Sequence, residues 1–399
     1  MGLFFEVFLL LTFFDAEAKH RRSVKTLKNF PTVSIVVPCY NEAKTVARTI
    51  ASLRALDYPK EKLSLILVND GSTDGTRAIL DRYASQPRMR VIHKENGGKH
   101  TALNAGIAAT ESEFVGGLDA DSFVSPEALK EIIPHFDTEK VGAVVAAISI
   151  WRPKTLLEKV QQTEYLLSIM FRHAISAING LYVTPGPFSV YRRKVFEELG
   201  GFVSAHNTED MEMALRLQKA NWRIANAPRA RVYTTGVRAI PALLRQRMRW
   251  VSGFVRNGID YRELYGNPRY GALGMLVLPF GTVSILGTVF LFALFWIDSA
   301  RYLADAFERT TAVPLSFAFR APRFQFDWFY LPASSILFVG LITCIIMFVR
   351  MKTGSVVSKT KLSVGSGALL YLPVLSIIAP IWIVWALIDV WLGIKRPWR

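Results

Sequence analysis

Short apolar segments alternate with longer amphipathic ones over the first half of the chain. The apolar segments VSIVV, LSLILV, MRVIH and EFVGGL are separated by stretches with helical spacing over residues 43–56, 73–84 and 99–109. Strands and helices that alternate in this way predict parallel strands with helices packed on the faces of the sheet. Ligands of such sheets lie beyond the carboxyl ends of the strands. We therefore expect an α/β domain over residues 31–235.

The carboxy-terminal part of the chain has a different pattern. Long apolar runs cover residues 272–297, 328–350 and 368–392, whereas charged residues are concentrated before residue 270. Each run is long enough to cross about 30 Å of hydrocarbon at roughly 1.5 Å per residue. Residues 271–399 are therefore predicted to form transmembrane or interfacial helices.

Two further segments indicate contact with a membrane. Residues 238–264 mix arginine with large apolar side chains, as an amphipathic helix at a membrane surface does, so residues 236–270 are predicted to be interfacial. The apolar run of residues 2–14 is short for a span and contains Glu6, so an anchor, a signal region and an interfacial helix all remain open. We assign residues 1–30 to a membrane-associated segment with a basic flank.

Charge sets the expected orientation and the expected partners. The basic cluster after residue 18 favours the cytosolic side for the domain that follows it, which makes the chain an integral membrane protein with a cytosolic domain. Three full crossings would put Lys395 and Arg396 outside, so one run need not cross. Pro373 and Pro380 interrupt the last run, which could be a bent, interfacial or re-entrant segment or, equally, a simple span. The net charge of +16 fits a lipid surface or a nucleotide phosphate. Nucleic acid is not expected, because the aromatic residues lie mainly in and beside the apolar runs.

The most informative polar residues are Asp119 and Asp121, which follow the apolar segment of residues 113–118. Residues two apart in an extended chain point to the same side, so both carboxylates can face one ion. Hard oxygen ligands suit Mg²⁺ or Mn²⁺. The alternative interpretation is a solvated turn.

Two more polar turns are expected at the same edge of the sheet. Asp70 follows the second strand and could accept hydrogen bonds from a pyrimidine base, or it could cap the next helix. Gly97 and Gly98 precede Lys99 at a helix start, where free backbone amides and an ammonium group would bind an anion. A flexible turn with a solvated lysine is the alternative.

Acidic and basic motifs occur further along the chain. Thr208, Glu209 and Asp210 begin a predicted helix; Asp210 could be a general base with a raised pKa, or the acids could simply favour a helix start. The segment Gln246-Arg-Met-Arg-Trp250 lies on the amphipathic helix. Its guanidinium groups could bind a diphosphate and its indole could stack on a sugar ring.

These motifs, in this order and followed by apolar runs, resemble the membrane-bound family 2 inverting glycosyltransferases of the hyaluronan, cellulose, chitin and poly-N-acetylglucosamine synthase type. The resemblance covers residues 33 to about 260 closely. It implies a GT-A-like nucleotide-sugar-binding domain, with a mixed and mostly parallel sheet, fused to a helical transmembrane region. No convincing match to a gating loop follows the first membrane run, which leaves processivity open.

The resemblance also implies roles for individual residues. The catalytic base would be Asp210, with Glu209 beside it. The residues that contact the nucleotide and its diphosphate would be Pro38, Glu42, Asp70, Lys99, Asp119, Gln246, Arg247 and Arg249. Trp250 would face the acceptor sugar, and Asp121 with Asp119 would hold Mg²⁺ or Mn²⁺.

The expected activity is repeated transfer of a sugar from a UDP-sugar to a growing β-linked polysaccharide, a reaction to which export of the polymer could be coupled. The acceptor would be a glycan or a glycolipid at the bilayer. One alternative is a non-processive enzyme that adds one sugar to a membrane lipid. An alternative of another class is a non-catalytic nucleotide-binding subunit of an exporter or channel. The sequence does not specify the sugar, the primer or the oligomeric state.

Overall fold

The computed structural model describes residues 2–22, 29–312, 335–360 and 366–394. The part of the apolar run 328–350 that precedes residue 335 lies outside the described residues, and so do Lys395 and Arg396.

One eight-stranded sheet forms the centre of the amino-terminal domain. Its strands are β1 (Val33–Cys39), β2 (Leu63–Asp70), β3 (Met89–Lys94), β4 (Phe114–Gly117), β5 (Phe123–Val124), β6 (Val141–Ile150), β7 (Ser189–Arg192) and β8 (Arg223–Thr234). They are ordered β3-β2-β1-β4-β7-β6-β8-β5. Strands β1 to β4 pair in parallel and β6 pairs in parallel with β8, whereas β7 and β5 are antiparallel to their neighbours. The predicted mixed, mostly parallel sheet is confirmed.

The helices follow the predicted alternation, with shorter boundaries in places. They are α1 (Gly2–Arg22), α2 (Val46–Arg54), α3 (Thr76–Asp81), α4 (Lys99–Ala108), α5 (Ala128–Ile132), α6 (Leu156–Ala177), α7 (Arg193–Leu199), α8 (Glu209–Lys219), α9 (Ile240–Asp260), α10 (Leu278–Ala312), α11 (Ser335–Val357) and α12 (Ser366–Trp391). The helix predicted over residues 73–84 forms only over 76–81, because the preceding residues build a polar turn in which Asp74 accepts a hydrogen bond from the Thr76 amide.

The sheet is covered on both faces. Residues of β1 alternate between the two apolar layers: Val33, Ile35 and Val37 pack with α2 and α5, whereas Val36 packs with α4, α6 and α8. All ten residues of β6 are buried, as expected of a strand with a helix layer on each side. Two covered faces fix the sheet and so fix the turns at its carboxyl edge.

Helix α6 lies between the sheet and the helices of the membrane part. Gly354 of α11 packs directly on the Leu166 carbonyl, and a Cβ at Gly367 of α12 would lie 2.6 Å from the Lys159 carbonyl. On α1, Phe5, Leu9 and Phe13 are buried. Glu6 of α1 pairs with Arg350 of α11 at 2.5 Å. These contacts hold the apolar helices against the domain.

By length and composition, two helices among the described residues could cross a membrane: Leu273–Glu308 and Gly340–Val357. A third candidate is the pair Ser366–Leu372 and Ile377–Trp391, which is bent by 54°. The bend in α12 lies at the break that contains Pro373, whereas Pro380 lies within the second helix of the pair.

Candidate active site

Four charged residues line one cleft at the carboxyl edge of the sheet, with about 280 Å³ of empty space. They are Lys99, Asp119, Glu209 and Asp210. Lys99 is the first residue of α4, Asp119 follows β4, and the acid pair occupies the first turn of α8. The sheet and the start of α8 thus bring together residues from three distant parts of the sequence.

Lys99 bridges two of these acids. Its Nζ lies 2.6 Å from Asp119 Oδ1 and 3.1 Å from Glu209 Oε1, and only 13% of its side chain is exposed. Burial alone would lower the pKa of Lys99, but the surrounding carboxylates outweigh it and raise the pKa. Burial alone would raise the pKa of Glu209, but Lys99 brings it below its ordinary value. Both groups are charged at neutral pH.

Asp210 has a different electrostatic environment. Burial, and after it the negative charge of Glu209, raise the pKa of Asp210 to about 6, although Lys99 and Arg249 act in the opposite direction. The Asp210 carboxylate accepts hydrogen bonds from the backbone amides of Gly186, at 3.3 Å, and Met211, at 2.9 Å. Two neighbouring carboxylates with pKa values pushed apart are suited to different roles, and Asp210 has the pKa of a general base.

The loop before β7 completes the cleft, and sequence reasoning assigned it no role. Thr184 donates its hydroxyl hydrogen to the Asp210 carbonyl at 2.7 Å. A Cβ added at Gly186 would clash with Lys99 Nζ and lie 3.1 Å from Asp119 Oδ2. A glycine lets the backbone pass this close to both side chains, and the glycine between two prolines in residues 184–187 is the sequence signal for such a close approach.

Asp121 lies outside this cleft but next to Asp119. Burial, then Asp119 and Glu42, raise the pKa of Asp121 to about 6. The crowded carboxylates form an oxygen donor set that a divalent cation would neutralise, so the residues fit Mg²⁺ or Mn²⁺. Among the described residues, no group of three or more His, Cys, Asp or Glu side chains could hold a metal ion by itself. A substrate would have to supply further ligands.

Asp70 holds the turn before Lys99. Its Oδ1 accepts hydrogen bonds from Lys94 Nζ at 2.6 Å and the Gly97 amide at 3.1 Å, and its Oδ2 accepts one from the Gly98 amide at 2.9 Å. The two glycine amides, expected to be free for an external anion, thus already bind an internal carboxylate. Asp70 does not cap α3, because the Thr76 amide at the start of that helix donates to Asp74 instead. The sequence did not indicate a role for Lys94, because a lysine at the end of an exposed strand is expected to be solvated.

The arginines of α9 also have protein partners. Arg247 pairs with Glu164 of α6 at 2.6 Å and stacks on the Trp250 ring at 4.1 Å. Arg249 donates to the Asn207 carbonyl at 2.7 Å, just before the acid pair. Gln246 is half-buried on the same helix. Of these residues, Arg249 is the one whose charge acts on both Glu209 and Asp210.

The remaining predicted residues lie around the cleft rather than in its lining. Pro38 is near the end of β1, opposite Val68 of β2. Glu42 follows in the next turn, where its amide bonds Thr76 Oγ1. The structure therefore brings Lys99, Asp119, Glu209 and Asp210 into one cleft, and the other predicted residues lie outside its lining.

This arrangement of sheet, helices and acidic turns is a GT-A-like glycosyltransferase fold. The structure of the mannosyltransferase PcManGT from Pyrobaculum calidifontis, described in complex with GDP-Man and Mn²⁺, superposes with a TM-score of 0.60. It is 19% identical, and the match covers 98% of this chain and 99% of that one.

Sequence comparison relates part of the chain to a known family. Residues 34–200 match the model of glycosyl transferase family 2, so this chain contains a family 2 glycosyltransferase domain. A beta-monoglucosyldiacylglycerol synthase from Nostoc sp. is 32% identical over 248 residues, or 61% of this chain and 53% of that enzyme. A poly-beta-1,6-N-acetyl-D-glucosamine synthase from Staphylococcus epidermidis is 28% identical over 262 residues, or 65% and 63%. The chain thus spans about half to two thirds of the length of these relatives.

Proposed function

We propose that the chain is an inverting, metal-dependent hexosyltransferase that works at the cytosolic face of a membrane. It transfers a sugar from a UDP-sugar to a growing β-linked polysaccharide. The observation that carries the proposal is the common cleft of Lys99, Asp119, Glu209 and Asp210, in which the pKa of Asp210 is raised to about 6 while Lys99 lowers the pKa of the neighbouring Glu209. A domain that only bound nucleotide would have no use for a tuned base.

The transfer step assigns Asp210 the central role. Its carboxylate takes the proton of an acceptor hydroxyl while that oxygen forms a bond to C1 of the donor sugar. The bond from C1 to the UDP oxygen breaks, and its electron pair leaves with UDP. Attack from the face opposite UDP inverts C1, so an α-linked donor gives a β-linked product. Asp210 releases the proton after the product has formed.

The other residues bind and orient the donor. Asp121 and Asp119 would hold Mg²⁺ or Mn²⁺, which would supply a positive charge for the diphosphate. Lys99 places a second positive charge beside Asp119. Glu42, Pro38 and Asp70 would contact the nucleotide, and Gln246, Arg247 and Arg249 would hold the leaving UDP. The PcManGT complex with GDP-Man and Mn²⁺ supports a nucleotide sugar and a divalent ion for this fold.

A second product class is favoured by a specific observation. The Nostoc relative, at 32% identity, is named for the glucosylation of diacylglycerol, whereas the Staphylococcus epidermidis relative is named for polymer synthesis. Either activity in this chain would place Trp250 against an acceptor close to the bilayer. They differ in whether the product stays in place for another addition.

Product length separates the two. The full chain in membranes would be incubated with radiolabelled UDP-N-acetylglucosamine or UDP-glucose and Mn²⁺, and the products would be resolved by size before and after lipid extraction. A ladder of β-linked oligomers supports the polymerase. A single lipid-soluble product with one sugar would replace it with the lipid glycosyltransferase, and no transfer from any nucleotide sugar would refute both.

A further inference from the structure

The turn that precedes the acid pair has an unusual backbone. Ala205, His206 and Asn207 all have positive φ values of 36°, 56° and 62°. None of them is glycine, and consecutive left-handed residues with a Cβ persist only when surrounding contacts hold them. The turn leads directly into Thr208, Glu209 and Asp210. What holds this turn therefore also sets the start of α8.

One side of α9 supplies the contacts. Arg249 donates to the Asn207 carbonyl at 2.7 Å, and His206 Nε2 lies 2.9 Å from Asp260 Oδ2. Between these two ends, Asn257 donates from Nδ2 to Thr208 Oγ1 at 2.8 Å. The Thr208 hydroxyl in turn donates to the Ala205 carbonyl at 3.0 Å. On α9, Arg249, Asn257 and Asp260 are spaced by eight and three residues, which places them on one helix face.

Gly253 lets α9 approach the turn. A Cβ at this position would lie 2.5 Å from Thr208 Oγ1 and 2.9 Å from Thr208 Cβ, closer than real Cβ atoms come to other atoms. Asn257 is fully buried, and its second amide hydrogen bond goes to the Gly253 carbonyl at 2.9 Å. The glycine and the asparagine thus form one contact with Thr208.

The adjacent side of α9 is fixed to α12. Met248 is buried with Trp382 and Ala386, and Arg256 donates to the Asp389 carbonyl at 2.8 Å. Ser252 donates to the Ala386 carbonyl at 3.3 Å. Helix α9 is therefore a rigid support for the turn.

We propose that Asn257 and Gly253 are positioning residues for Asp210, which they fix through Thr208 and the left-handed turn Ala205–Asn207. The inference rests on the proposed role of Asp210 as the base. Neither residue lines the cleft, so neither contacts a substrate there. Loss of either contact would misplace the base in the transfer step and leave donor binding intact.

The test uses the full chain with Asn257→Ala and, separately, Gly253→Ala. The matched controls are Asn226→Ala and Gly287→Ala. Asn226 is a buried asparagine of β8 that donates to the Val145 carbonyl, and Gly287 is a helical glycine with open space around it. Hydrogen exchange of the amides of residues 205–211 and transfer kinetics would be measured for all four variants and for the unmodified chain.

We expect exchange over residues 205–211 to rise at least about tenfold in both test variants, kcat to fall at least about tenfold, and KM for the donor to stay within about twofold. The controls should leave exchange in this segment unchanged. Unchanged exchange in Asn257→Ala would overturn the inference, and so would raised exchange with normal kcat. If the unmodified chain transferred no sugar at all, the proposed function would fail, while the exchange comparison would still decide whether α9 holds the turn.

Discussion

The ammonium group of Lys99 lies 2.6 Å from the carboxylate of Asp119, although the first residue starts a helix and the second follows a strand. Replacing Lys99 with methionine keeps the length of the side chain and removes the charge. The buried acids then lose their cation, which should lower the free energy of unfolding by about 3 kcal/mol. Lys99 lowers the pKa of both Glu209 and Asp210, so both pKa values should rise in the variant.

Thermal unfolding in detergent and the pH dependence of transfer measure these two effects. Lys130→Met is the matched control, because Lys130 pairs with Asp57 at 2.7 Å on the surface, where 39% and 60% of the two side chains are exposed. Such a pair contributes less than about 1 kcal/mol. Equal losses in the two variants would mean that Lys99 is an ordinary surface lysine.

The rate of transfer should depend on the protonation of Asp210. Its raised pKa means that the carboxylate is charged above about pH 6 and protonated below it. Because a base must be deprotonated to accept a proton, kcat should be constant at neutral pH and fall by about tenfold per unit once the pH is well below the pKa. A pH series of kcat at saturating donor measures this. A rate that rises as the pH falls through 6 would exclude Asp210 as the base.

A side chain at Gly186 should displace the Lys99 ammonium group from Asp119. Alanine at this position would place its Cβ against Lys99 Nζ and 3.1 Å from Asp119 Oδ2, so the bridge between these residues must shift. We expect donor affinity to fall at least about tenfold, which corresponds to a loss of about 1.4 kcal/mol in binding free energy. Gly340→Ala is the control, since nothing lies within 4 Å of a Cβ there. Titration of UDP and Mn²⁺ by calorimetry compares the two, and equal affinities would show that the loop does not shape the donor site.

The acids after β4 should make nucleotide binding depend on metal. Chelation with EDTA should weaken UDP binding by the unmodified chain and abolish transfer, and Mn²⁺ should restore both. Asp121→Ala should bind UDP weakly whether or not Mn²⁺ is present. The exposed Asp57, whose side chain is 60% accessible, provides the control Asp57→Ala. Equal binding with and without EDTA in the unmodified chain would mean that Asp119 and Asp121 form only a polar turn.

Much of the fold follows from local pattern. The buried strands β1 and β2 are nearly continuous apolar segments, and the glycines after Leu199 end α7, with Gly200 at a φ of 81°. The antiparallel insertion of β7 between β4 and β6 is a long-range pairing that no local signal contains. The same holds for the pairing of Glu6 with Arg350, which joins two apolar helices.

The site was predictable to the same degree. Sequence motifs pointed to the acids Asp119 and Asp210, because the end of a strand and the start of a helix can be predicted from the local sequence. No motif identified Gly186, Lys94 or Glu164. These residues contact Asp119, Asp70 and Arg247, respectively, only because distant segments meet in the fold. The amides of Gly97 and Gly98 show the limit most clearly: a pattern typical of an anion site turned out to bind Asp70.

The most direct test of the account is the replacement of Asp210 by asparagine, which keeps the shape of the side chain and removes its basicity. The affinity for UDP in the presence of Mn²⁺ would be measured by calorimetry. The rate of transfer would be measured on the same preparation, with the nucleotide sugar that the unmodified chain uses. We predict unchanged UDP affinity and a kcat lowered at least about a hundredfold, because the base is needed only in the chemical step. Transfer at the rate of the unmodified chain would contradict the central claim.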